Sequence, residues 1–335
     1  MSGKTVVITG ASGFIGKHVT KEFLDNGYHV RGSVRSDAKA LETKEAVGGD
    51  YNGALSFVEL DLLKDDGWSG ALEGADFLVH TASPFPLASP KDPQELIRPA
   101  VDGTLRALKA AKNAGIDRVV ITSSCVAIYN DTLDANQNQF DETNWSPTEK
   151  SFTSAYEDSK TLAELAAWDF VKSEAPQMQL STVNPGAVFG VPLDANYGAS
   201  LELVERLLKG QDPMLPDLSI PIVDVVDVAL MHRLALETDA AAGQRFPACS
   251  GALTMIEAAK ILNAEISSSK AKTRQAPNWL IKLMAKVNSE MKTVAPRLGR
   301  AADISSKNAE SKLGMKLVSP KDTLLASAHF LVQSN

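Results

Sequence analysis

Cysteine is scarce: Cys125 and Cys249 are the two among 335 residues. Both lie in apolar settings with no metal-ligand spacing, so they read as reduced thiols of a cytoplasmic protein. The five histidines scatter without ligand spacing, which leaves zinc or two-metal chemistry without donors and implies no metal. Basic charge is in deficit, with 34 Lys and Arg against 41 Asp and Glu for a net −7. Such a surface does not gather nucleic acid or anionic membrane by summed attraction. No apolar run approaches the ~20 residues that span a bilayer, and from the start, MSGKTVVITG, no secretory leader is expected. What remains, 44% hydrophobic and 22% charged, suits a chain able to bury a large core.

The stretch that organises the chain is TVVITGASGFIG, residues 5–16. Val6, Val7 and Ile8 run without alternation, as in a parallel strand covered on both faces. Gly10, Gly13 and Gly16 follow at intervals of three, where a sharp turn, a close backbone approach and tight helix packing each disfavour a side chain. A helix starting near Ser12 and Gly13 would aim unpaired N–H groups and its positive dipole end at whatever lies above. That geometry suits a pyrophosphate.

Further strands are expected at 29–34, 55–60, 77–80, 119–122, 180–184 and 222–228. Helices are expected up to Asn26-Gly27, at 93–114 with a break or bend at Pro99, and at 153–173, 199–209 and 228–237. The polar stretch 130–147 reads as a surface loop, and beyond Gly251 the pattern turns helical and irregular. Alternating strands and helices of this kind predict an α/β fold with a doubly wound parallel sheet. We expect a dinucleotide-binding domain over 1–190, rejoined by 220–250, and a smaller mixed substrate-binding lobe from 191–219 and 251–335.

The end of the second strand decides the type of cofactor. An NAD site wants a carboxylate there for the ribose hydroxyls, whereas Arg35 and Lys39, with Arg31 as a further candidate, offer cations to a 2′-phosphate. The cofactor expected is NADPH. Asp61 and Leu62 close the third strand where an adenine would lie, and the small-residue run His80-Thr81-Ala82-Ser83-Pro84 closes the fourth.

Ser123 and Ser124 fall at the C-terminal end of the fifth strand, the edge where open α/β sheets place ligands. Tyr156 and Lys160 are four residues apart on a helix and share one face. A phenol with an ordinary pKa near 10 needs a fixed positive charge to exchange protons at neutral pH. Lys160 and an oxidised nicotinamide can supply it. A carbonyl oxygen held by Ser124 and Tyr156 could then accept a proton from Tyr156 as hydride arrives at carbon. His80 and Cys125 read as a packed strand-end residue and a buried thiol.

These residues, TGASGFIG with Arg35 and Lys39, Asp61-Leu62, HTASP at 80–84, TSS at 122–124, YEDSK at 156–160 and NPGAVFG at 184–190, resemble the extended short-chain dehydrogenase/reductases. Within them the chain is similar to the dihydroflavonol reductase, cinnamoyl-CoA reductase and yeast-type aldehyde and methylglyoxal reductase group, over 5–237. The resemblance implies a Rossmann-type fold and an NADPH-dependent aldehyde or ketone reductase with Ser124, Tyr156 and Lys160 as its triad. It places Gly10, Ser12, Gly13, Phe14 and Ile15 at the phosphates, Arg35 and Lys39 at the 2′-phosphate, and Asp61 and Leu62 at the adenine. Thr81, Ala82 and Ser83 would line the ribose, and Pro185, Gly186 and Val188 the carboxamide, with Lys160 also on the ribose hydroxyls. Phe85, Ile128, Tyr129, Phe152 and Tyr197 would form an apolar wall for a small-molecule carbonyl substrate.

The stretch 125–130 is mostly apolar where the flavonoid enzymes read their substrate with a polar residue. The oligomeric state is open between monomer and homodimer. Rival readings are an epimerase, dehydratase or hydroxysteroid-type dehydrogenase of the same superfamily, disfavoured by the basic end of strand two, and a non-catalytic NADPH-binding regulator, disfavoured by Tyr156 and Lys160 together.

Overall fold

The computed structural model describes residues 3–84, 92–129, 133, 137–148, 150, 153–288, 291 and 294–333. Seven parallel strands run in the order β3-β2-β1-β4-β5-β6-β9: β1 (Thr5–Thr9), β2 (His29–Val34), β3 (Leu55–Glu59), β4 (Phe77–His80), β5 (Arg118–Thr122), β6 (Gln179–Pro185) and β9 (Gln244–Ala248). The order reverses between β1 and β4, which opens a crevice at their C-terminal ends.

Both faces of this sheet are covered. Val6 and Ile8 of β1 pack with α1 (Phe14–Asp25) and α7 (Val225–Glu237), while Val7 packs with α3 (Trp68–Leu72), α4 (Gln94–Asn113) and α5 (Ala155–Glu174). α2 (Asp37–Val47) follows β2, capped by the Ser36 hydroxyl. A second sheet, in the order β10-β8-β7, joins β7 (Ala187–Phe189), β8 (Ser219–Asp224) and β10 (Gly251–Thr254), with β8 parallel to β7 and antiparallel to β10. Its own core is shared with α6 (Ala199–Lys209), α8 (Met255–Glu265) and the last helix. After α9 (Asn278–Met284), α10 (Lys307–Leu313) returns to the main sheet, placing Ala309 and Leu313 in the core beside α7, and α11 (Pro320–Gln333) closes the chain.

Several boundaries differ from the sequence reading. α4 passes unbroken through Pro99: the bond proline cannot make leaves the carbonyl of the exposed Glu95 to solvent, and the buried stripe Leu96, Ala100, Ala107 and Leu108 holds the helix. The strand expected at 222–228 ends at Asp224, whose carboxylate accepts from Val226 N at 2.9 Å and starts α7 three residues early. β7, β9 and β10 are additional strands. In the expected loop, the described part is packed: Phe140 is buried and bridges to Ile304, and Trp145 stacks 3.7 Å under Arg245. No helix among the described residues is long and apolar enough to cross a membrane.

Candidate active site

The three glycines after β1 do three different things. Gly10 has a φ of +69°, and a Cβ there would lie 2.8 Å from Ala82 Cα, so only glycine lets the turn press against the end of β4. At Gly16 a Cβ would sit 2.1 Å from Gly10 O, which fixes the close packing of α1 on its own turn. Gly13 is the N-cap of α1, and no side chain caps that helix. The first-turn N–H groups therefore stay available to an anion, as a bound pyrophosphate requires.

Around this turn lies a cleft of about 790 Å³. Every residue assigned to the cofactor lines it: Gly10, Ser12, Gly13, Phe14, Ile15, Arg35, Lys39, Asp61, Leu62, Thr81, Ala82, Ser83, Tyr156, Lys160, Pro185, Gly186 and Val188. Arg35 is exposed at its rim, while Lys39 pairs with Glu42 at 2.6 Å. Arg31 does not reach the cleft lining, because its guanidinium donates to the carbonyls of Ala71 at 2.6 Å and Glu73 at 3.0 Å. The Thr81 hydroxyl donates to Thr9 O at 2.6 Å and Ala82 N donates to the Thr9 hydroxyl at 3.2 Å, locking the ends of β1 and β4 together. His80 is buried against that same hydroxyl, and burial pushes its imidazole down to about 3. It stays neutral and packed.

Ser124 lies two residues beyond β5 and opens a one-turn helix at Cys125–Ala127, where its hydroxyl accepts from Val126 N at 3.3 Å. Its carbonyl accepts from Asn184 Nδ2 at 3.3 Å, and that amide also donates to Glu164 at 2.7 Å. Glu164 is itself paired with buried Arg245 at 2.6 Å, so one ionic network ties β5, β6, β9 and α5 beneath the serine. Across from it, α5 begins with a reciprocal cap between Ser154 and Glu157, which sets the height at which Tyr156 and Lys160 emerge.

The Tyr156 phenol and the Ser124 hydroxyl share a hydrogen bond, and Lys160 Nζ lies 5.9 Å from the phenol ring centre. Burial pushes the phenol above its ordinary range, against that hydrogen bond and the charge of Arg297. Burial also pulls the Lys160 ammonium down to about 8. Arg297, which sequence reading missed, ion-pairs with Glu157 on the same first turn. Cys125 is buried beside Ser124 with its thiol on Asn184 O at 2.8 Å, and burial pushes that thiol well up, so it is no thiolate nucleophile.

A second cavity, of about 570 Å³, shares Ser124, Tyr156, Pro185, Gly186 and Ser200 with the first. Of the expected apolar wall, Tyr129 lines it. Ile128 does not, being wholly buried and packed in one cluster with Cys125 and Phe140, which do line it. Tyr197 lines the cofactor cleft instead, its ring edge-on to Phe330. Phe85 and Phe152 lie outside the described residues. The wall is otherwise built from Val126, Leu133, Phe140, Leu218, Ile220 and Pro221, with Arg297 and Arg300 to one side. No group of three His, Cys, Asp or Glu side chains among the described residues could hold a metal ion.

Fold and site together define a class, the doubly wound α/β proteins that bind a dinucleotide across a strand-order reversal. The chain belongs to the NAD dependent epimerase/dehydratase family, whose profile matches residues 6–248. Cinnamoyl-CoA reductase 1 of Arabidopsis thaliana is 37% identical over 247 residues, covering 72% of this chain and 70% of that one. The crystal structure of yeast methylglyoxal/isovaleraldehyde reductase Gre2 with NADPH superposes with a TM-score of 0.82 at 28% identity over 98% of both chains. Gre2 of Candida albicans with NADPH gives 0.81 at 29% identity over 99% of both.

Proposed function

We propose that this protein is an NADPH-dependent reductase of aldehydes or ketones. The observation that carries the proposal is the meeting of two cavities at Ser124 and Tyr156, one floored by the uncapped start of α1 and edged by Arg35, the other largely apolar. NADPH, when bound, supplies the hydride. Residues of the glycine turn hold its phosphates, Arg35 and Lys39 the 2′-phosphate, and Asp61 and Leu62 the adenine. Pro185, Gly186 and Val188 flank the nicotinamide end. The names of the Arabidopsis and yeast relatives support this reading.

In the reaction the hydroxyls of Ser124 and Tyr156 hold the carbonyl oxygen, and Tyr156 gives it a proton as charge builds there. Lys160 orients the ribose and, with its ammonium on the phenol side, limits the energetic cost of the phenolate that remains. The segments 191–219 and 251–335 form the substrate lobe in this proposal, with α10 excepted because it packs on the main sheet. Following the loss of NADPH absorbance against a panel of aromatic and aliphatic carbonyls tests the reading. Turnover with NADPH well above that with NADH is expected, and a silent panel would refute it.

A further inference from the structure

Building on the reductase reading, we infer that the carbonyl compound reduced at this site carries a carboxylate, and that Arg297 and Arg300 receive it. The cavity beside Ser124 and Tyr156 is walled by apolar side chains, yet two guanidiniums line it and, among the described residues, no carboxylate does. A wholly apolar substrate would use neither guanidinium, whereas an anionic group on the substrate would meet both. Arg300 is exposed and makes no side-chain hydrogen bond or ion pair among the described residues. Arg297 is held from behind by Glu157, which engages one of its terminal nitrogens and leaves other N–H groups of the five-donor fork for a ligand.

The charge count points the same way. Glu157 offsets one of the two arginines, and Asp217, which approaches Gly299 between them, forms no ion pair with either. Of the two, Arg300 is left without an ion-pair partner among the described residues, at the side of a cavity whose floor is the Ser124 and Tyr156 hydroxyls. The Arg297 charge is felt at both Tyr156 and Tyr129, on the floor and the wall of that cavity. A planar carboxylate suits a guanidinium fork, and the size of the cavity, about 570 Å³, suits a substrate with an aromatic or medium aliphatic body.

Two measurements test this together. The first is kcat/KM for 4-formylbenzoate against its methyl ester, in wild type, Arg300→Met and Arg297→Met. Charge-assisted hydrogen bonds predict that wild type prefers the acid by about tenfold or more, and that the ratio falls toward one in each variant. The second is calorimetric binding of benzoate against benzamide to the protein loaded with NADP⁺, where benzoate should bind tighter and weaken by a similar factor on loss of Arg300. An ester turned over as well as the acid, or benzamide bound as tightly as benzoate, would overturn the inference. Arginine-dependent benzoate binding without NADPH oxidation by either aldehyde would uphold the carboxylate site and sink the reductase reading instead.

Discussion

Arg35, the residue after β2, carries a guanidinium that meets no side-chain partner among the described residues, whereas Lys39 in the first turn of α2 is shared with Glu42. In the proposed mode of binding, recognition of a 2′-phosphate falls mainly on Arg35. Arg35→Ala should raise the NADPH dissociation constant by about tenfold to a hundredfold, the range of a charge-assisted hydrogen bond, and shift that for NADH by less than about twofold. Fluorescence titration of both coenzymes would show it, and equal losses would remove Arg35 from this role. Such residues were legible in the sequence because short local spacings mark them: the glycine turn, a serine at a strand end, a tyrosine and a lysine one helical turn apart. Arg297 and Arg300 were not. They reach the cavity only through tertiary packing of a segment without periodicity, and nothing local says which way they face. Ile128 and Tyr129 make the same point, since adjacent apolar residues in an irregular turn look alike until one is buried and the other lines the pocket.

At the scale of elements, the site rests on the Glu164–Arg245 pair. Arg245 donates to Glu164 and to the carbonyls of Glu142 at 2.8 Å and Asn144 at 2.6 Å, so a single residue of β9 secures both α5 and the loop over Trp145. Arg245→Met leaves the carboxylate of Glu164, 2% exposed, without its counter-ion. The expected loss is about 3–5 kcal/mol of stability, read from urea denaturation, with partial recovery when Glu164→Gln is added. An unchanged denaturation midpoint would show that the network carries no such weight. β9 escaped sequence reading because QRFPA is short, contains a proline tolerated at an edge strand and shows no apolar alternation. β1, β4 and β5 were readable for the opposite reason, since burial on both faces writes TVVIT, FLVH and RVVIT as continuous apolar runs. At α7 the run from Ile222 onward is apolar whichever period is assumed, so its strand-to-helix boundary was visible only once Asp224 was seen capping the helix.

Taken whole, the molecule buries three imidazoles in neutral form. Burial depresses His18 to about 4, His80 to about 3 and His232 to about 4, from an ordinary 6.5. Below pH 6.5 the unfolded chain binds protons on these rings that the folded chain refuses, so the stability they confer is complete above that pH and is lost as pH falls toward the folded values. Asp227 acts in the opposite sense: burial raises its carboxyl from 3.8 to about 6, and in that interval the folded state holds a proton that the unfolded state releases. At pH 5 the four groups together predict an uptake of about two protons on unfolding, a loss of roughly 2–3 kcal/mol per pH unit of acidification. Denaturant titrations between pH 6.5 and 5 would measure it, and a stability that rises on acidification would contradict it.

In the proposed reaction one phenol finishes the reduction in the space where the two cavities join. Single-turnover mixing of Tyr156→Phe, loaded with NADPH, with an aldehyde that wild type reduces is the most direct test. The proposed general-acid role predicts a rate lower by about two orders of magnitude or more, with the NADPH dissociation constant unchanged. A phenylalanine variant that reduces the aldehyde at the wild-type rate would contradict it.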